Sequence, residues 1–330
     1  MPACDLTFDD RSAGLAQAPS LRGVVDSRPL WKCQHLSLVA FSAPAGARLS
    51  SLVSACDGTC VIVTLRGHAG HSGEPTSLTA DNVTAAMLSS GCEDPTLIAG
   101  EAGVGGLVVT ISPSGAGAMA PPGRSHAALP EVAGLITEPG DHIDAWLLVA
   151  ALDRELSDQR GSVEVAARRL AGSLLRAAHR VAGPALAQGA GGPGYQSQIA
   201  ETRRRIAASV DRSATLRSLA DETGWSPWYL SRRFSAEVGL PVHRYLMRAR
   251  LRAALARVIG SRDPLSQVAA AVGFSSHSHF TSAFRGEFAA TPIALRHLVE
   301  PAHADDLRRA LATGEVVATH GDRRVSASTA

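Results

Sequence analysis

LRSLADETGWSPWYLSRRF (216–234) and LSQVAAAVGFSSHSHFTSAF (265–284) are two copies of one pattern. Leu219 and Ala220 of the first stand where the second has Val268 and Ala269. Gly224 then answers to Gly273, Trp225 to Phe274, Leu230 to Phe280 and Phe234 to Phe284. One residue is inserted in the second turn, so the offset passes from 49 to 50. Each block reads as a helix, a tight turn and a second helix. The small residue lets the two helices approach, and the glycine takes the left-handed conformation that ends the first. The aromatic residue after the glycine plugs the core between them. Ser226, and Ser275 or Ser276, stand where a second helix is capped, with Pro227 in the first turn that tolerates it.

On the helix from Pro227, Leu230, Phe234 and Val238 recur every fourth residue as a buried stripe, which leaves Trp228, Ser231, Arg232 and Ser235 on other faces. On the helix near His277, Phe280, Phe284 and Phe288 form the stripe, with Ser278, His279, Ser282 and Arg285 outward. Between the blocks, VHRYLMRARLRAALARVI (242–259) reads as one helix carrying Arg244, Arg248, Arg250, Arg252 and Arg257. Such a rod is roughly 27 Å long. It suits two recognition helices entering successive major grooves, about 34 Å apart on straight DNA, or closer on bent DNA.

Charge points the same way. The chain of 330 residues has a formal net charge of only +2, but residues 195–300 hold 15 Arg against 8 acids, a net of +7. Residues 1–194 hold 13 basic against 18 acidic groups, a net of −5, and residues 301–330 balance 4 against 4. A basic segment on a chain of opposite bias suggests a polyanion partner, although a solvated arginine-rich surface produces the same count.

Upstream, GPALAQGAGGPG (183–194) cannot continue a helix and has no apolar period, so it reads as a linker. Before it lie two textures. Short apolar runs, LSLVAF (36–41), CVIVTL (60–65) and GLVVTIS (106–112), are separated by Gly, Pro, Ser and Asp, as in antiparallel strands of a small sandwich or barrel. From 141 to 181 Ala166, Leu170, Leu174 and Ala178 recur every fourth residue, as in two amphipathic helices split near Gly161, packed on the strands or also against a second subunit. The fold class is therefore α+β in two domains: a β-rich N-terminal region with trailing helices over 1–182, and an all-α region of two helix-turn-helix units joined by a long helix over 195–298. Residues 299–330 read as a disordered tail.

The acidic N-terminus lacks a secretion signal, and the uncharged stretch 102–123 is broken by Gly, Ser and Pro, so a cytoplasmic chain off the membrane is expected. The five cysteines (Cys4, Cys33, Cys56, Cys60, Cys92) are odd in number and scattered, which argues against a disulfide framework. His68, His71 and Glu74 in GHAGHSGE invite a metal, but a spacing of three in a glycine-rich turn suits a solvated hairpin better, and no metal or cofactor is expected. No nucleophile, base and orienting group stand together, so no enzyme is expected.

The segment 197–296, above all LADETGWSPWYLSRRFSAEVGLPVHRYL and VAAAVGFSSHSHFTSAFRGEFAATPIALR, resembles the AraC/XylS family of bacterial regulators. Spacing, turn glycines, core aromatics and the terminal Thr291-Pro292 with Arg296 agree together. The resemblance implies that Trp228, Tyr229, Ser231 and Arg232 face DNA bases from the first unit, and His277, Ser278, His279, Thr281 and Ser282 from the second. Arg232 is the candidate for a bidentate guanine contact, whereas Arg233, Arg285, Arg248 and Arg252 are expected on phosphates. Two departures stand out: Ser282 replaces a longer, often basic side chain, and Ala289 replaces the usual glycine before Thr291-Pro292. The DNA-repair alkyl acceptors that share this helix-turn-helix type carry a reactive cysteine in a Pro-Cys-His-Arg setting, which none of the five has.

The N-terminal region resembles the cupin-like effector domain of part of the family. That resemblance implies a small-molecule effector, with no pocket residue to name, and a homodimer formed through the trailing helices. The reading is an activator that binds promoter or operator duplex and contacts RNA polymerase. Two alternatives stand beside it: an effector-independent regulator whose first domain binds proteins, and a metal-dependent cupin-type enzyme fused to a DNA-binding domain.

Overall fold

The computed structural model describes residues 25–54, 58–71, 79–88, 97–119, 132–153, 160–181, 193–210, 214–300 and 303–316. The N-terminal region is one antiparallel sheet. Its strands are β1 (Asp26–Lys32), β2 (Leu36–Ala43), β3 (Thr59–His71), β4 (Thr79–Ala80), β5 (Thr84–Leu88), β6 (Leu97–Ile111) and β7 (Val132–Ile136). They lie in the order β1-β2-β6-β3-β5-β7, with β4 also on β3. The two long strands pair along most of their length and slip register between Thr64 and Arg66 and again between Gly67 and Ala69. At the second slip Gly67 and Gly103 both have positive φ, and a Cβ on Gly67 would stand 2.0 Å from the Gly103 carbonyl oxygen. Bulges of this kind bend a strand and increase its twist.

Alternation sorts the apolar residues onto two faces, both buried, which explains why 60–65 reads as a continuous apolar run. Leu38, Val61, Val63, Leu107 and Val109 lie under α3 (Pro139–Asp153) and α4 (Arg160–Val181). Cys60, Ile62, Leu88, Val108 and Phe41 pack on the other side with Leu49 and Leu52, the latter on the short helix α1 (Ser50–Ser54). Helix α2 (Pro113–Met119) follows β6. His68 and His71 lie on β3, not in a hairpin turn. The His68 ring is 7% exposed and packs so closely on Gly100 that a Cβ there would be 2.3 Å from it. Cys60 is buried in the second face, whereas Glu74 and Cys56 fall outside the described residues.

The C-terminal region is helical: α5 (Pro193–Ala208), α6 (Leu216–Thr223), α7 (Pro227–Val238), α8 (Val242–Gly260), α9 (Leu265–Ala271), α10 (His277–Phe288), α11 (Pro292–Leu298) and α12 (Ala304–Thr313). Most of the expected linker lies outside the described residues, but its last two positions already belong to α5. The tail read as disordered is corrected at 304–313, which form α12. Its Leu307, Ala310 and Leu311 are at most 1% exposed, and the Leu311 carbonyl accepts from Arg169 of α4 at 3.1 Å. The α4 stripe of Ala166, Leu170, Leu174 and Ala178 is fully buried within the chain. What sequence pattern alone allowed as a subunit contact is here largely covered by the protein's own elements.

The cores ignore the expected domain boundary. Val83, in the turn between β4 and β5, is 0% exposed among Ile199 of α5, Leu219, Leu230 and Phe234 of the first helix-turn-helix unit, and Tyr245 of α8. The core of the second unit is continuous with α3 and α4. Polar groups follow suit. The Tyr245 hydroxyl donates to Asp81 at 2.5 Å, Arg203 donates to Tyr245 at 3.1 Å, and the Asn82 amide donates to the Ala249 carbonyl at 3.0 Å.

Candidate DNA-contacting surface

In the first unit, Thr215 and Ser218 form a reciprocal capping box that starts α6, and Gly224, at φ 68°, ends it. Ser226 then accepts from the Tyr229 amide and Pro227 opens α7. Leu230 and Phe234 are 0% exposed and fix which side of α7 faces inward. The opposite side carries Trp228, 66% exposed, with Arg232 also exposed and Tyr229 and Ser231 half-buried. The Trp225 ring meets the Tyr229 ring edge-on at 5.0 Å, and the Arg232 guanidinium lies over the Trp228 ring at 5.5 Å.

The second unit repeats this plan. Ser276, rather than Ser275, caps α10 by accepting from the His279 amide. Phe280 and Phe284 are 0% exposed; His277, Ser278, His279 and Ser282 are exposed and Thr281 is half-buried. Phe274, the aromatic after the turn glycine, meets the His279 ring edge-on at 5.3 Å. It therefore does for His279 what Trp225 does for Tyr229. Ala289 ends α10 at φ 54°, the single non-glycine with positive φ among the described residues. Thr291 caps α11 by accepting from the Ala294 amide. Arg296 donates to the Val258 carbonyl at 3.1 Å and ties α11 to α8.

All nine expected base-reading residues thus lie on two helices joined by α8, and none is fully buried. The phosphate set divides. Arg285 is exposed and Arg233 half-buried. Arg252 is corrected outright: at 0% exposure it donates to the carbonyls of Asn82 at 2.8 Å and Thr137 at 2.7 Å and to the Thr137 hydroxyl at 2.5 Å. Burial pushes its pKa down to about 10, which leaves it charged at neutral pH. Arg248 is half-buried, with a side chain 18% exposed that lies 3.4 Å from Glu287 of α10, so its charge is already met within the chain. Arg250 donates to the carbonyls of Val210 at 3.0 Å and Ala214 at 3.2 Å, which holds the approach to α6. Sequence reasoning also missed Trp225 and Phe274 as props; both were read as core plugs, and their spacing from Tyr229 and His279 was the available signal.

This geometry defines a double helix-turn-helix DNA-binding domain. Residues 219–297 match the family model described as "Helix-turn-helix domain". The chain is 30% identical over 88 residues to the regulatory protein SoxS of Salmonella typhimurium, covering 27% of this chain and 82% of SoxS. It is 39% identical over 80 residues to the HTH-type transcriptional activator RhaS of Pectobacterium carotovorum, 24% of this chain and 29% of RhaS. With the HTH-type transcriptional regulator GlxA of Rhizobium meliloti the identity is 31% over 182 residues, 54% of this chain and 47% of GlxA. The chain belongs to the AraC/XylS family of DNA-binding transcription regulators. It spans less than a third of the length of RhaS. Among the described residues no helix is long and apolar enough to cross a membrane, and no three His, Cys, Asp or Glu residues gather as a metal site.

Proposed function

We propose that the protein is a sequence-specific activator whose N-terminal domain responds to a small-molecule effector and sets how the two helix-turn-helix units are held. The observation that carries this reading is the clamp on α8. Tyr245 near its start, Ala249 and Arg252 are each bonded to residues 81–84 or 137 of the N-terminal domain. The DNA-facing sides of α7 and α10 stay open to solvent. Control would therefore act on the relative placement of the two units and not by covering them. An effector shifts such an equilibrium only by its difference in affinity for the two arrangements.

The DNA-facing set is Trp228, Tyr229, Ser231 and Arg232 with His277, Ser278, His279, Thr281 and Ser282, and Arg233 and Arg285 hold phosphates. Helix α8, with its 19 residues, is roughly 28 Å long. Two units mounted on it would engage successive major grooves of one duplex face with modest bending. The protein would act as a homodimer and contact RNA polymerase at the promoter. On α4 the exposed large apolar residue left for pairing is Val165, at 47%.

Full-length protein used to select genomic fragments, followed by footprinting with and without candidate effectors, tests the reading. A protected promoter sequence whose occupancy or transcription changes with one effector is expected; no protected sequence under any condition overturns it. A second reading, a regulator without effector whose first domain binds proteins, draws on the close packing of the second sheet face, where Leu49, Ile62, Leu88 and Leu97 are all 0% exposed. Protection indifferent to every small molecule and altered by a protein partner would favour it.

A further inference from the structure

Trp228 and Arg232 stand one turn apart on α7, and the guanidinium carbon of Arg232 is 5.5 Å from the centre of the Trp228 ring. At 66%, Trp228 is the most exposed large apolar side chain among the described residues, so core packing does not account for it. The core position of this unit is already taken by Trp225, which also meets Tyr229 edge-on. The second unit has the counterpart of that contact, Phe274 against His279. It lacks a counterpart of the first pair, because Ser278 and Ser282 occupy the corresponding positions, offset by 50. The two units therefore share one aromatic prop and differ in the other.

We infer that Trp228 is a positioning residue, whose indole face holds the Arg232 guanidinium in the direction from which it reads a base, and that sequence discrimination is concentrated in the first unit as a result. The inference rests on the placement of α7 as a base-reading helix. An exposed arginine has a long, freely rotating stem, and fixing it on binding costs rotamer freedom. A cation over an aromatic face is attracted by the ring quadrupole, and Trp is the best ring for it. The stack restricts the side chain before DNA arrives, which is preorganisation. Ser278 and Ser282, short and uncharged, have no such stem to restrain, so α10 is left to position the duplex more than to discriminate along it.

The test uses the full chain and one duplex selected by it from a randomised library, titrated beside a panel of single base-pair substitutions. Arg232→Ala is expected to lose about five- to 150-fold on the selected duplex and to flatten preference at one base pair. Trp228→Ala should lose about two- to fivefold, flatten preference at the same base pair, and add no further loss in the Arg232→Ala background. Trp228→Phe, which keeps a ring, should recover most of the loss. Thermal melting of all four variants checks that the fold is unchanged, as exposure at Trp228 and Arg232 implies. If Trp228→Ala instead alters a different base pair, or its loss adds in full to that of Arg232→Ala, Trp228 reads DNA by itself and the inference fails. If Arg232→Ala leaves every base pair unaffected while duplex binding persists, the placement of α7 fails first, a distinguishable outcome.

Discussion

Replacing Arg252 by Met keeps most of the stem volume and removes the guanidinium that joins α8 to the N-terminal domain. Four acceptors lie on it: the carbonyls of Asn82 at 2.8 Å, Thr137 at 2.7 Å and Val83 at 3.3 Å, and the Thr137 hydroxyl at 2.5 Å. Val83 keeps other partners, because the Thr137 amide and hydroxyl both donate to its carbonyl at 3.1 Å. The Asn82 and Thr137 carbonyls lose theirs, and each buried acceptor left unpaired costs about 1–3 kcal/mol. The change also relieves the protein of desolvating a charge whose nearest carboxylate, Glu287, is 3.8 Å away, which offsets part of the loss. A net destabilisation of about 2–4 kcal/mol follows. Urea unfolding followed by circular dichroism and by tryptophan fluorescence measures it, with Arg257→Met, exposed on the same helix, as a control expected within about 0.5 kcal/mol of the parent. The salt dependence of DNA binding supplies the second arm. Arg252→Met should leave the slope of log K against log salt unchanged, since a residue buried under Thr137 neutralises no phosphate. An unfolding midpoint equal to that of the control, together with a slope reduced by about one, would show that Arg252 faces DNA and that this account of the domain interface is wrong.

At Ala289, which holds a left-handed conformation at φ 54°, substitution by Gly should stabilise the chain by about 1 kcal/mol in the same urea assay. His142 is 0% exposed with both ring nitrogens unbonded, and burial, seconded by the charge of Arg252, depresses its pKa well below 6.5. The unfolded chain therefore takes up a proton that the native one refuses. Its contribution to stability is complete above pH 6.5 and is lost as pH falls towards the folded value, at about 1.4 kcal/mol per unit; His142→Leu should flatten the stability profile between pH 7 and pH 5. Leu311→Ala in α12, at 0% exposure, should cost about 2–5 kcal/mol, whereas a dispensable tail would show no change in melting temperature.

The helix-turn-helix plan was legible because it is written in local chemistry. Glycine turns, serine caps and four-residue stripes each act within a few positions, so Ser226, Gly224, Leu230 and Phe234 could be placed without knowing what packs on them. Antiparallel strands were legible as runs, but their order was not. Which face of 60–65 meets α3 depends on pairing with β6, about 45 residues away, and on bulges at Arg66 and Gly67. The reach of the tail was hidden for a related reason. Leu307, Ala310 and Leu311 form a short stripe whose burial depends on α3 and α4, more than 120 residues earlier.

Arg252 shows how charge counting goes astray and where the correcting signal lay. Arg244, Arg248 and Arg252 recur every fourth residue, so composition treats them as one basic face suited to phosphate. Along that face burial rises from exposed Arg244, through Arg248 at 18%, to Arg252 at 0%. The face is graded because Arg248 meets Glu287 of α10 and Arg252 reaches the carbonyls of Asn82 and Thr137, whereas Arg244 stays exposed. Arg252 also continues a second series, Val242, Tyr245 and Ala249, whose steps of three, four and three are those of an apolar seam, and all four residues are buried. A charged residue standing in an apolar seam must either end the seam or find buried acceptors. Here the acceptors come from Asn82 and Thr137, residues that no local pattern could have tied to α8. The same arginine that made the helix look like a DNA clamp instead joins the domain proposed to sense the effector to the domain that reads DNA.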